Sequence, residues 1–121
     1  MLEKSEALIT YINFLQQVKQ VQASNEFMKL SLIEERLLNL LATSWAVDQK
    51  ITVLKALQLN TEVSQSTSHR LLKGLRMKKF ITLVMDEDDN RIKYVEPSDK
   101  TNDYLKALGT CLYQARERQA A

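Results

Sequence analysis

Residues 64–97 read SQSTSHRLLKGLRMKKFITLVMDEDDNRIKYVEP, and the spacing of their apolar residues changes after Lys79. Before that point the apolar residues recur every three or four positions, which predicts a helix over about 65–78 with Ser64 as its N-cap. After it, β-prone residues lie on both sides of the polar hexapeptide 86–91, which predicts two strands joined as a hairpin. A capped helix followed directly by a hairpin is therefore the centre of the predicted fold.

A short helix is predicted just before this unit. Thr52 has the position of an N-cap for a helix over roughly 53–59, in which Leu54 and Leu57 would point inward. A turn of about four residues would then separate it from the helix at 65–78, and two helices joined in this way form a helix-turn-helix.

Longer helices are predicted on either side of the helix-turn-helix and hairpin. Ser31 and Glu34 have the spacing of a capping box at the start of a very apolar helix that extends to about Asp48. Amphipathic stretches over 2–22 and about 99–118 predict one helix at each end of the chain.

The predicted fold class is mainly α with a small β-hairpin, namely a winged helix-turn-helix with flanking N- and C-terminal dimerisation helices. One domain over residues 1–121 is expected. Within it, residues 2–22 form the N-terminal dimerisation helix, 32–97 the winged helix-turn-helix core, and 98–121 the C-terminal dimerisation helix with Ser98 as its N-cap.

The two terminal helices carry apolar stripes that a small core cannot cover completely. Packing of these stripes between two copies of the chain would bury them, which predicts a homodimer. The residues expected at the interface are Leu8, Ile12, Leu15, Tyr104, Leu108 and Leu112.

The composition is that of an ordinary globular protein, with 45% hydrophobic and 26% charged residues and a net charge of +2. The single cysteine, Cys111, excludes an intrachain disulfide and is predicted to be a buried structural thiol. No apolar run approaches the roughly 20 residues that a membrane span needs, and the N-terminus does not resemble a signal peptide. A cytoplasmic protein with no membrane partner is expected.

Catalytic and metal sites are not expected. His69 is the only histidine, and no second histidine or cysteine lies near it in the sequence to complete a metal site. The sequence shows neither a Ser/His/Asp or Cys/His pairing nor a glycine-rich phosphate loop, so an enzyme and a bound cofactor are not predicted.

The helix at 65–78 combines polar residues at its start with basic residues farther along. Gln pairs well with adenine and Arg with guanine in the major groove of DNA, while basic side chains neutralise phosphates. The residues expected to contact DNA from this helix are Gln65, Ser66, Thr67, His69, Arg70, Lys73 and Arg76. Lys78 and Lys79 are also expected to neutralise phosphates.

The hairpin tip adds a second expected contact. Asp89 is predicted to hold the guanidinium of Arg91 in one orientation, ready to enter the minor groove. Lys93 is expected to contact a phosphate. Together with the helix, the hairpin would be the wing of a DNA-binding unit.

The chain resembles the multiple-antibiotic-resistance regulator (MarR) family of bacterial winged-helix proteins over roughly residues 32–108. The resembling segments are 64–75, the Lys-Lys-Phe-Ile of 78–81, the acidic wing tip 86–91 with its Asp-x-Arg ending, and the Pro-Ser-Asp-Lys of 97–100. The resemblance implies a homodimer bound to a pseudo-palindromic duplex site. It implies that residues 65–70 enter the major groove and Arg91 the minor groove, and it leaves a small-molecule effector open.

The chain departs from the family pattern at several positions. Phe80 follows Lys79 directly where the family often has Gly, Thr101 replaces a Gly, and one C-terminal helix is predicted where the family commonly has two. Gly74, inside a helix, allows either close packing or approach to a phosphate. The predicted function is a sequence-specific double-stranded DNA-binding transcription regulator, a repressor. The alternative is a winged-helix scaffold or protein-interaction module without sequence-specific DNA binding.

Overall fold

The structure is a computed structural model of the 121-residue chain. It describes residues 1–24, 26–27, 29–47 and 50–120, without the side chains of 118–120. These form two compact units, one from Met1–Lys29 and Asn102–Ala121 and the other from Leu30–Thr101. The predicted helix end at Asp48 lies outside the described residues.

Eight elements follow one another in the described residues. They are α1 (Glu6–Gln22), α2 (Leu32–Val47), β1 (Ile51–Thr52), α3 (Val53–Leu57), α4 (Gln65–Met77), β2 (Ile81–Met85), β3 (Lys93–Pro97) and α5 (Asp99–Ala120). The predicted class, mainly helical with a small β-hairpin in a winged-helix arrangement, is confirmed. The dimerisation role of α1 and α5 stays a prediction.

The sheet has three antiparallel strands in the order β1-β3-β2. Val95 in the central strand pairs with Ile51 on one side and with Leu83 on the other. The sequence predicted β2 and β3 but only a link at β1, because a strand of two residues is too short to show a period. Strand β1 leads directly into α3, so the sheet fixes where the helix-turn-helix begins.

The core of the second unit lies between α2, α4 and the sheet. Its fully buried side chains are Leu37, Leu38, Leu41, Ile51, Leu75, Phe80, Ile81 and Val95. Trp45 links α2 to the sheet, because its Nε1 donates a hydrogen bond to the carbonyl of Val95 in β3 at 2.9 Å. The prediction that Leu54 points inward was wrong: it is 60% exposed, because α3 has barely more than one turn and buries Ala56 and Leu57 instead.

Helix α4 ends in a left-handed turn at Lys79, whose φ is 68°. The backbone N–H of Phe80 donates to the carbonyl of Leu75 at 2.9 Å, and that of Lys79 donates to the carbonyl of Arg76 at 3.0 Å. These two hydrogen bonds, together with the buried side chains of Leu75 and Phe80, form the Schellman motif, in which the left-handed residue is usually glycine. Lysine therefore takes the glycine position in this cap.

The start of α5 is bonded to the end of α4. Ser98 Oγ donates to the carbonyl of Lys79 at 2.7 Å, Thr101 Oγ1 donates to the carbonyl of Phe80, and Lys100 Nζ donates to the carbonyl of Lys78 at 2.9 Å. Burial, together with repulsion from Lys79, lowers the pKa of Lys100. Thr101, which stands where the family pattern has Gly, is fully buried, and its hydroxyl has a partner in the carbonyl of Phe80.

In the other unit, α1 begins at Glu6 with Ser5 as its N-cap, four residues later than predicted. Tyr104, expected at a dimer interface, is instead buried at 4% exposure. Its hydroxyl accepts from Nε2 of Gln22 at 3.3 Å, and its ring packs edge-on against Phe27. Tyr104 thus belongs to the core of its own unit.

Cys111 on α5 is buried, as predicted, and burial raises the pKa of its thiol. Leu15 and Leu112, which were also expected at an interface, are 40% and 58% exposed, while Leu8, Ile12 and Leu108 are half-buried. None of the helices in the described part of the chain has the length and hydropathy to cross a membrane.

Candidate nucleic-acid interface

The polar start of α4 faces away from the core. Gln65, Ser66, His69 and Arg70 are exposed, whereas Ser68 is buried beneath the helix. Ser64 caps the helix by accepting from the N–H of Thr67 at 3.2 Å. Most residues predicted at the start of the helix therefore reach the surface.

Thr67 differs from its neighbours. It is half-buried, and its Oγ1 accepts a hydrogen bond from the Ser64 hydroxyl at 2.9 Å. The Ser64 hydroxyl also lies 3.2 Å from that of Ser66, so both hydroxyls contact the capping residue, and of the two residues only Ser66 is exposed.

Arg70, Lys73 and Arg76 form an exposed row on α4, because residues three apart lie on the same helix face. Among the described residues, none of the three takes part in an ion pair. The sequence predicted that Lys78 neutralises a phosphate. In the structure its Nζ lies 2.6 Å from Oε1 of Glu34, so Lys78 forms an ion pair within the protein instead.

A groove of about 510 Å³ runs along α4. Ser66, His69, Arg70, Leu72, Lys73 and Arg76 of α4 line one side, with Val53, Ile81 and Leu83 opposite. A second groove of about 560 Å³ shares Val53 and Leu83 and is lined as well by Thr52, Leu54, Arg91, Ile92 and Lys93. Because the grooves share two residues, they adjoin each other, with Arg70 lining the first and Arg91 the second.

In the wing tip, Arg91 donates three hydrogen bonds to the Asp89 carboxylate. Its Nε and one terminal nitrogen donate to Oδ1 and Oδ2 of Asp89, both at 3.1 Å, and its backbone N–H donates to Oδ1 at 3.0 Å. These hydrogen bonds lower the pKa of Asp89. The arginine side chain remains 90% exposed. The contact expected between the two residues is present, and the role of Arg91 on DNA stays a prediction.

Asp86, which binds the backbone next to the contact between Asp89 and Arg91, was not identified from the sequence. Asp86 Oδ2 accepts from the backbone N–H groups of Asp88 and Asp89 at 3.0 and 3.1 Å, and its Oδ1 accepts from the Tyr94 hydroxyl at 2.7 Å. The Tyr94 hydrogen bond, followed by those from the backbone, lowers the pKa of Asp86. An aspartate two residues before the N–H groups that it binds is the signal of an Asx-turn, which could have identified Asp86.

The described residues contain no cluster of three metal-ligating side chains. Lys93, the last predicted wing contact, is exposed at the start of β3 and lines the second groove beside Arg91.

Neither a scan against protein-family models nor a search of curated proteins gave a match to this sequence. Solved structures do match. The S. aureus MepR–DNA complex is 18% identical with a TM-score of 0.59, covering 94% of this chain and 84% of that one. The fold is that of the MarR-type winged-helix regulators.

Two further structures share the MarR-type fold. The heme sensor protein PefR from Streptococcus agalactiae, in complex with heme, is 16% identical with a TM-score of 0.57, covering 95% of this chain and 72% of that one. Bordetella bronchiseptica BpsR, whose DNA binding is regulated by 6-hydroxynicotinic acid, is 12% identical with a TM-score of 0.52, covering 93% and 82%. In the terms of this fold, α4 is the second helix of the helix-turn-helix and β2–β3 is the wing.

Proposed function

We propose that this chain is a sequence-specific double-stranded DNA-binding transcription regulator that acts as a homodimer and represses by blocking promoter access. The observation that carries the proposal is that the groove lined by the exposed Ser66, His69 and Arg70 of α4 adjoins the groove lined by Arg91. The MarR-type fold supports it, since one protein with that fold is seen in a DNA complex.

The major groove would be read by α4. Its exposed Gln65 and Arg70 have the bidentate geometry that pairs with adenine and guanine, and Ser66 and His69 add hydrogen-bonding groups beside them. Lys73 and Arg76 would neutralise phosphates, and the release of counterions would make binding weaken as salt rises.

The minor groove would be read by the wing. The two-point contact with Asp89 restricts the guanidinium of Arg91 to one orientation before DNA arrives, so less side-chain entropy is lost on binding. A narrow minor groove has an enhanced negative potential that attracts arginine. Lys93 would contact a phosphate next to this site.

The homodimer would form through α1 and α5. Leu15 and Leu112 are large apolar side chains exposed on these helices, and Leu8, Ile12 and Leu108 are only partly covered. A two-fold dimer would present two recognition helices about 34 Å apart to a pseudo-palindromic site. An effector that changed this separation would weaken both half-site contacts together.

Selection of bound sequences from a random duplex library tests the proposal. Arg70→Ala should weaken binding to the selected site by about 5–100-fold and relax the preference at one base pair. Arg116→Ala, which removes an exposed arginine of α5, is the matched control and should change neither property. A library that returns no preferred sequence would instead indicate a scaffold or protein-interaction module.

A further inference from the structure

The carboxylate of Glu34 joins the start of α2 to the second half of α4. Oε1 accepts from the backbone N–H of Ser31 at 2.9 Å and from Nζ of Lys78 at 2.6 Å. The backbone N–H of Glu34 in turn donates to Ser31 Oγ at 3.1 Å, which completes the predicted capping box. Glu34 is 8% exposed, so this carboxylate is a buried junction between two helices.

Gly74 is the point at which this carboxylate meets α4. A Cβ added at Gly74 would lie 2.5 Å from Oε2 of Glu34, closer than real Cβ atoms come to other heavy atoms. Any side chain at position 74 would therefore either displace the Glu34 carboxylate from its hydrogen bonds with Ser31 and Lys78 or move α4 away from it. This settles the question that the sequence left open, because the neighbour of Gly74 is a carboxylate of the protein.

We propose that Glu34 and Gly74 are a positioning pair that sets the tilt of α4 and, through it, the sequence preference of DNA binding. The inference rests on the proposed function. With a rise of about 1.5 Å per residue, Gln65 lies about 14 Å along the helix from Gly74. A tilt of about 10° at Gly74 would thus move Gln65 by about 2 Å.

Base contacts and phosphate contacts respond differently to such a shift. A hydrogen bond to a base edge needs a donor–acceptor distance of about 2.7–3.2 Å and is lost after a displacement of about 2 Å. The attraction between Lys73 or Arg76 and phosphates extends over a Debye length of roughly 10 Å and changes little. A positioning role therefore predicts a loss of specific binding alone, whereas loss of folded protein would weaken both kinds of binding.

The experiment compares Gly74→Ala with Gly109→Ala in the full chain. Gly109 is also helical, and nothing lies within 4 Å of the position that its Cβ would take. Affinities for the selected duplex and for a random duplex are measured at one salt concentration. Backbone amide chemical shifts of residues 65–70 are recorded without DNA, as a readout of α4 that does not depend on binding.

Gly74→Ala should weaken binding to the selected duplex by about tenfold, the loss of one base contact, with random-duplex binding unchanged. It should also shift the amides of 65–70, while Gly109→Ala does neither. In a Glu34→Ala background, Gly74→Ala should change specific affinity by less than about twofold, because the clashing carboxylate is gone. Glu34→Ala alone provides a second test if Gly74→Ala does not fold, and should lower specific binding only.

Three results would overturn the positioning role. The first is an equal loss of specific and random binding in both Gly74→Ala and Glu34→Ala. The second is the same cost of Gly74→Ala with and without Glu34, and the third is unmoved amides at 65–70. If the unaltered protein shows no sequence preference while Gly74→Ala shifts these amides, the proposed function fails and the positioning of α4 by Glu34 stands.

Discussion

The hydroxyl of Tyr94, the second residue of β3, donates to Oδ1 of Asp86 at 2.7 Å and so joins the central strand to the wing tip. Asp86 in turn accepts from the backbone N–H of Asp89, the residue that holds Arg91. The orientation of the arginine therefore depends on a chain of contacts that begins in the sheet.

Tyr94→Phe should weaken binding to the selected duplex by about 2–10-fold, the range expected for one hydrogen bond. The ring remains, so its packing beneath Lys50 Nζ is kept. In an Arg91→Ala background the same change should have no further effect, because the group that it orients is absent. Tyr113→Phe, at an exposed position on α5, is the control. Equal losses with and without Arg91 would contradict this chain of contacts.

Lys79→Gly should stabilise the protein by about 1 kcal/mol, since a non-glycine residue in the left-handed region costs roughly 1–2 kcal/mol. The thermal midpoint should rise by about 4 °C, as measured by circular dichroism. Lys106→Gly, in the interior of α5, should do the opposite and cost about 1 kcal/mol. If Lys79→Gly lowers the midpoint, the strain assigned to this cap is absent.

The stability of the fold should fall in acid because of Glu34. Burial raises its pKa, but the hydrogen bonds from Lys78 and Ser31 outweigh burial and lower the pKa from 4.5. As pH falls, Glu34 is therefore protonated in the unfolded chain before it is protonated in the folded protein. The stability that ionised Glu34 contributes is complete above about pH 4.5 and is lost as pH drops through its lower pKa in the folded protein.

Glu34→Gln should therefore reduce the free energy of unfolding by about 2 kcal/mol at pH 7, the contribution of a charge-assisted hydrogen bond, and by less at pH 3. Urea unfolding at the two pH values measures the difference. Glu3→Gln, at an exposed position, controls for the loss of one negative charge. A constant gap between Glu34→Gln and the parent protein from pH 7 to pH 3 would contradict the ionised pair.

Leu112→Asp should separate the proposed homodimer. Burying a leucine contributes about 1.5–3 kcal/mol, and a two-fold interface contains the residue twice, so the dimer dissociation constant should rise by at least about 100-fold. Sedimentation at micromolar concentration should then show a monomer. Thr110→Asp introduces the same charge at another exposed position of α5 and should leave the dimer intact. A parent protein that sediments as a monomer would reject the interface.

Local signals in the sequence predicted most of the fold. Ser64, Thr52 and Ser98 are N-caps as expected, because a capping hydroxyl bonds to N–H groups within three residues of itself. The contact between Asp89 and Arg91 was predictable for the same reason.

Contacts between distant segments were not predictable from one sequence. Lys78 reads as one more member of a basic run, and only the fold brings it to Glu34, 44 positions earlier. The pairing of Ile51 with Val95 likewise requires the hairpin to be in place first. The exposure of Leu54 depends on the length of α3, and helix ends are the least certain part of a periodic pattern.

Hydrogen bonds from Ser98 and Thr101, which follow β3, to the carbonyls of Lys79 and Phe80, which precede β2, hold the two ends of the wing together. The two strands leave and re-enter the domain at one fixed point, so changes in loop length or charge beyond it need not disturb the helices on either side. The loop at the wing tip can thus vary without a change in the helices. Under the proposed function, mutations in this loop would change the minor-groove contact and leave the base contacts of α4 as they are.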